Sequence, residues 1–482
     1  MTTTEMPPPS PASPNHAEST RTGASPHGDS ASDLSAMQTP MNDWVDAGDG
    51  EAIHQYMDTL TPADRAWAMS HLDNDRQTAL LQCLHPDAAA DLLHTLPEVQ
   101  AAGVMATMQP VDAAAIVHEL PSDQAADVVG HLNQTEAEAI LQELPAGEAE
   151  QVRTLAAYDD NVAGGLMVQE MLRFAPEMTV GQVIAELNEH ADRYSDFDVR
   201  YAYVAGDDGR LVGVLPMQQL LFVKRARTLG EIMIANPLSI LDTTPLDELA
   251  EFFEEHHFVG APVVDDDGVL VGVLHREAVQ WGEARRAEAD YRKSQGIVGG
   301  EELRTMPLWL RARRRLSWLS INIVLNVGAA AVIATFQDTL QAVIALAVFL
   351  PIISDMSGCS GNQAVAVSMR ELSLGLVRPS ELMRVWIKEF SVGLINGAVL
   401  GGLVAVLAYA YDGNPYLGLV VGVALMVNTI VAVSIGGVVP LALKRFGFDP
   451  AVAAGPLLTT VTDMCGFFLV LGLATMLLSK LV

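Results

Sequence analysis

An aspartate stands inside the last long apolar stretch of this 482-residue chain. It is Asp463, in the run Thr459-Thr460-Val461-Thr462-Asp463-Met464-Cys465-Gly466. An ionisable group at that depth is costly in hydrocarbon, so it is a functional candidate by default. A second polar run, Pro351-Ile352-Ile353-Ser354-Asp355-Met356-Ser357-Gly358-Cys359-Ser360-Gly361-Asn362-Gln363, interrupts an earlier apolar stretch. Its proline and two glycines are expected to loosen a helix and free backbone carbonyls. That is tolerated at membrane depth only where the backbone lines water or packs on protein. Freed carbonyls with Asp463, Asn362, Gln363, Asp355 and Thr459 would offer hard oxygen ligands. Such a set suits Mg²⁺, which sheds its waters reluctantly and takes few direct protein ligands. The thiolates or imidazoles that a softer metal prefers are not gathered there. The plainer alternative is that Asp463 only bonds threonine hydroxyls of a neighbouring helix.

The elements that must position these groups are membrane spans. Leu316–Phe336, Leu340–Pro351 onward, Val385–Tyr411, Leu417–Leu443 and Ala451–Leu478 are apolar and long enough to cross a bilayer, which predicts five helices. Cations mark their orientation. Arg311, Arg313, Arg314 and Arg315 precede the first span; Arg370, Arg378, Arg384 and Lys388 lie between the second and third; Lys444 and Arg445 lie between the fourth and fifth. The other loops carry none. The positive-inside rule then predicts a cytoplasmic N-terminal half and an extracytoplasmic C-terminus.

The preceding half is soluble in character and acidic. Of the net charge of −31, the residues before Arg311 hold −34, with 17 basic and 51 acidic side chains. That balance serves either solubility or cation attraction, and it argues against nucleic acid, whose binding needs Lys and Arg to replace counterions. Cys83, Cys359 and Cys465 form neither a disulfide framework nor a zinc pattern, as expected of a reducing compartment. No signal peptide is expected at the start. Residues 1–45, rich in Pro, Ser, Thr and Ala, read as a disordered tail.

Two internal repeats follow. Leu60, Leu72, Leu84, Leu96, Met108, Leu120, Leu132 and Leu144 recur every 12 residues, with apolar pairs such as Leu80-Leu81 and Ile116-Val117 between them. Each unit is a short helix that cannot bury its apolar face alone, so residues 46–164 are expected to stack as an α-solenoid. His85, His94, His118 and His131 fall there at no metal-ligand spacing. Then Asp207-Asp208-Gly209 with Leu211-Val212-Gly213-Val214-Leu215 returns 59 residues later as Asp266-Asp267-Gly268 with Leu270-Val271-Gly272-Val273-Leu274. An Asp-Gly pair between apolar runs marks a hairpin. Helix, strand, turn, strand and helix, twice over residues 165–281, resembles an α+β tandem pair of CBS domains. Such pairs sense ligands, often an adenine nucleotide. No Gly-rich phosphate loop and no nucleophile beside a base is found, so an enzyme is not expected.

This order of parts, with Gly-x-x-Gly-Asn-Gln ending at Gln363 and Thr-x-x-Asp-x-x-Gly ending at Gly466, resembles the MgtE family of magnesium channels and transporters. The resemblance implies a multi-domain membrane protein of a bacterial inner membrane. It would have a helical repeat domain, a CBS pair, a connecting helix within 282–312 (starting near Glu277) that plugs the pore, and a five-helix transmembrane domain over 313–482. It also implies a homodimer, a pore lined by spans two and five, Asp463 holding hydrated Mg²⁺, and soluble parts that close the pore when Mg²⁺ is plentiful. The chain departs from the family pattern at Ser357-Gly358-Cys359, where a thiol replaces an amide, and at Asp355, an extra acid. Val111-Asp112 and Ala115 replace acids of the helical repeat, and Ala284-Arg285-Arg286-Ala287 replaces an acidic start of the plug, so cations there would repel Mg²⁺. Cys359 as a ligand would fit a broader divalent carrier, for example of Co²⁺.

Overall fold

The computed structural model describes residues 41–482 apart from 195, 196, 198, 199 and 305. Most of the expected 1–45 tail lies outside the described residues. Its end is a correction, because residues 41–47 are helical. Met41 is buried there, and the Trp44 ring sits 5.5 Å from that of Tyr56. Met41, Trp44 and Val45 share one helix face, which lets so short a segment dock.

Nine short helices follow among the described residues, from Gly50–Thr59 to Ala146–Leu155. Their starts are written locally. Asp49, Thr61 and Asp73 accept backbone N–H groups as caps, Asn133 forms a capping box with Glu136, and Pro62, Pro86 and Pro110 occupy first turns. The helices pack in two interleaved rows. Asn74–Cys83, Glu98–Met105, Ser122–Gly130 and Ala146–Leu155 form one; Pro86–His94, Pro110–Glu119 and Gln134–Leu141 form the other. The repeated apolar pairs are the core between them: Leu80, Leu81, Leu92, Leu93, Ile116 and Val117 are all buried.

The duplicated segment forms two small sheets. In the first, Leu172–Phe174, Tyr201–Ala205, Leu211–Pro216 and Ile234–Ala235 lie in that order; in the second, Ile240–Leu241, Gly260–Val264 and Leu270–His275 do. The hairpins have matching registers, Val204 opposite Gly213 and Val263 opposite Gly272. Gly209 and Gly268 turn them with φ of +78° and +79°, a region that favours glycine. The two turns also pair with each other, Leu211 N donating to Gly268 O at 3.1 Å and Leu270 N to Gly209 O at 3.0 Å.

A connecting helix, Arg276–Ser294, leads to five long helices: Leu308–Thr335, Leu346–Ser373, Leu382–Asp412, Pro415–Arg445 and Pro450–Met476. Four of them are long and apolar enough to cross a membrane. The second is as long, but its middle holds the polar run. The expected loosening at Pro351 does not occur, since the helix continues through it and through Gly358 and Gly361. The fourth helix is central, packing on the second, third and fifth, while the first touches the fifth and is otherwise largely exposed. Glycines bring the third and fourth backbones together: a Cβ at Gly401 would stand 2.5 Å from the Gly422 carbonyl oxygen.

Candidate cation site in the membrane helices

Asp463 lies in the middle of the fifth long helix and is 8% exposed. Ser354, on the second, donates to its Oδ1. This is the one hydrogen bond to the carboxylate among the described residues, so Oδ2 keeps its lone pairs for another partner. The threonines before it do not supply that partner. Thr459 Oγ1 donates to Gly455 O at 3.1 Å, Thr460 Oγ1 to Pro456 O at 2.8 Å and Thr462 Oγ1 to Thr459 O at 2.9 Å. Each threonine bonds its own helix, a local alternative that side-chain hydroxyls favour in apolar surroundings.

The other expected ligands are spread along one face of the second helix. Asp355, Cys359, Asn362 and Gln363 are exposed in the single chain, as is Thr459 on the fifth helix. Asp355 Oδ1 lies 3.9 Å from Cys359 Sγ. Asn362 lies eight residues beyond Ser354, about 12 Å of helical rise. Ser354 faces Asp463, while Gly361 is pressed against Leu458. The polar groups therefore form a ladder along the two helices with Thr459 between the rungs, and no three His, Cys, Asp or Glu converge on a point among the described residues. A ladder can pass a cation that keeps its waters; it cannot strip one.

The sequence reading missed two residues behind this ladder. Asn428, on the fourth helix, is fully buried and donates from Nδ2 to Ser357 Oγ at 2.7 Å. Ser357 Oγ in turn donates to Ile353 O at 2.7 Å and contacts Ser354 O at 3.1 Å. The Asn428 Oδ1 and the Thr429 hydroxyl have no partner. The signal was available, because an amide inside an apolar run is as anomalous as a carboxylate.

Outside the membrane helices, the two CBS-like sheets enclose a narrow cleft lined by Glu170, Arg200, Tyr201, Tyr203, Gly260 and His275, with free space of about 20 Å³. His256 stacks on Phe252 and on Phe258, whose rings also meet each other, which accounts for it as a packing residue. The connecting helix is held by ion pairs to three neighbours. Arg285 pairs with Glu98 and, at 3.4 Å, with Asp127; Arg286 pairs with Asp247 at 2.7 Å; Lys293 pairs with Asp449 at 3.0 Å. Asp127 is pushed up to about 7, first by burial and then by Glu98, with Arg285 opposing.

Long apolar helices around a carboxylate, hydroxyls and an amide, joined to helical and α+β modules, fit a multi-domain membrane protein with a polar track through its apolar part. The family models match in the same order. Residues 60–161 match the MgtE intracellular N domain, 229–279 the CBS domain, and 350–473 MgtE, described as a divalent cation transporter. The chain is 32% identical over 332 residues to the magnesium transporter MgtE of Thermus thermophilus, covering 68% of this chain and 72% of that one. It is 29% identical over 334 residues to that of Bacillus subtilis, covering 69% and 73%. The chain belongs to the MgtE family. Two solved structures are similar in part. One is the soluble part of a magnesium transporter (21% identity, 53% of this chain and 99% of that one, TM-score 0.46). The other is the cytosolic domain of the Mg²⁺ channel MgtE with ATP (26%, 50% and 97%, TM-score 0.45).

Proposed function

We propose that this chain conducts Mg²⁺ across a bacterial inner membrane as a homodimer, through a pore lined by the second and fifth long helices. The observation that carries this reading is the exposed polar face of Asp355, Asn362, Gln363 and Thr459 beside Asp463. Hydrocarbon would penalise such a face, so in the membrane it turns to water or to a second copy. The non-convergent placing of these groups along the helices supports passage of a hydrated ion. All five long helices cross, and the cationic loops set the soluble half in the cytoplasm with the C-terminus outside. In this reading the helical rows over 46–164, with the helix at 41–47 docked on them, form a solenoid, 165–281 a CBS pair, 282–312 the connection, whose helix already begins at Arg276, and 313–482 the pore. Sequence relatives that transport magnesium favour the same ion.

The soluble modules gate the pore through the connecting helix. An adenine nucleotide at the CBS pair would have to open the cleft beside Tyr203 and His275, which has room for little more than a water molecule. The contact of Cys359 with Asp355 favours a second reading, a broader divalent carrier that also takes Co²⁺. The deciding experiment for the pore is complementation of a Mg²⁺-dependent strain with wild type and Asp463→Ala, the amount of membrane-inserted protein being matched. Loss of growth rescue is expected for Asp463→Ala. Full rescue would mean that the membrane part only anchors a sensor, and the pore reading would be abandoned.

A further inference from the structure

We propose that Asn428 is a positioning residue for the Asp463 carboxylate, and that Gly466 ends its sequence run because it admits this amide. The inference rests on the pore reading of Asp463 and extends it to the fourth long helix. Asn428 touches both helices that carry the Ser354–Asp463 bond, in each case one turn from it. On the second helix its Nδ2 donates to Ser357, three residues after Ser354. On the fifth, a Cβ at Gly466, three residues after Asp463, would stand 2.6 Å from that same Nδ2. Any larger residue at 466 would expel the amide or push the helix away.

The hydroxyl chemistry explains why an amide is needed. Ser357 has one proton and spends it on the carbonyls of its own helix, at Ile353 and Ser354. Its oxygen can then only accept, and Asn428 is the donor supplied. The link fixes the rotation of the second helix at the turn where Ser354 reaches Asp463. Stability alone would favour leucine here, because the amide leaves its buried Oδ1 without a partner. A residue that is locally unfavourable and placed behind a charged site is explained by the site.

The test uses the full-length protein purified into vesicles, with Mg²⁺ influx read by a fluorescent indicator and Ca²⁺ influx measured in parallel. Asn428→Leu keeps the bulk and removes the donor; Ser357→Ala removes the acceptor with almost no change in volume. Each is expected to raise the half-saturating Mg²⁺ concentration about tenfold and to lower the preference for Mg²⁺ over Ca²⁺. The double variant should be no worse than either single one, because they break the same link. Folded protein is measured for each by gel filtration, and Ser357→Ala carries the test should Asn428→Leu not fold. Unchanged half-saturation and ion preference per folded protein, or effects that simply add, would overturn the proposal. Asp463→Ala is run alongside. If it transports normally, the pore reading itself has failed; if it is inactive while Asn428→Leu and Ser357→Ala behave as wild type, only the role of Asn428 falls.

Discussion

Asp463 was legible in the sequence because nothing else in its stretch is charged, and the penalty for burying charge turns such an anomaly into a signal. Its partner was not legible. Ser354 was one hydroxyl among several, and only the pairing of two helices more than a hundred residues apart selects it over Thr459 and Thr460. Those threonines, on the same helix as Asp463, satisfy themselves on their own backbone; the neighbouring-helix hydroxyl that Asp463 bonds is a serine, not the threonine of the plainer alternative. Ser354→Ala should therefore leave the carboxylate without a hydrogen bond and cut Mg²⁺ influx about tenfold, with Ser354→Thr retaining most of it; equal influx for Ala and wild type would refute this. For Cys359→Ser, unchanged Mg²⁺ influx is expected, and Co²⁺ influx is the quantity to watch. A selective fall in Co²⁺ influx would favour the broader carrier.

At the scale of elements, periodicity carried most of the information. A 12-residue repeat can be read because every unit solves the same burial problem in the same way, and the duplicated hairpin because a turn with positive φ needs glycine twice. The polar run in the second long helix misled for a physical reason. Proline and glycine weaken an isolated helix, yet packing overrides them: Gly361 lies against Leu458 and the Ala432 carbonyl, and the helix runs on unbroken. The glycines are there for close approach. Gly401→Ala should accordingly destabilise the folded protein by about 1–3 kcal/mol, because its methyl meets the Gly422 carbonyl. Gly402→Ala, whose methyl would meet nothing within 4 Å, should leave thermal unfolding in detergent unchanged. Equal melting of the two variants would contradict the packing described.

Across the whole molecule, charge couples the parts. Each pair made by Arg285, Arg286 and Lys293 is half-exposed and worth about 0–1 kcal/mol, so the effect lies in their fan across three bodies. Replacing all three by alanine should speed proteolysis near the connecting helix, whereas cleavage at the wild-type rate would show that the pairs do not hold it. Millimolar Mg²⁺ is expected to protect residues 46–310 of the wild type by relieving repulsion among acids such as Asp247, Glu248 and Glu251. Asp127 sets a pH dependence. It faces Glu98, Asp123, Asp160 and Arg285, and its carboxyl holds a proton in the fold that the unfolded chain has already lost. Stability should thus fall as pH climbs from the ordinary carboxylate range to about 7, and Asp127→Asn should flatten the curve of unfolding temperature against pH.

Lys293 grips Asp449, and Asp449 is the N-cap of the fifth long helix, its Oδ1 accepting the Ala451 N–H at 2.9 Å. The connecting helix itself and, beyond a non-helical stretch, the first long helix both pack on that same fifth helix. Two handles on one rod make a lever. A swing of the soluble half would twist the fifth helix about its axis, and the group that twist re-aims is the carboxylate halfway along it.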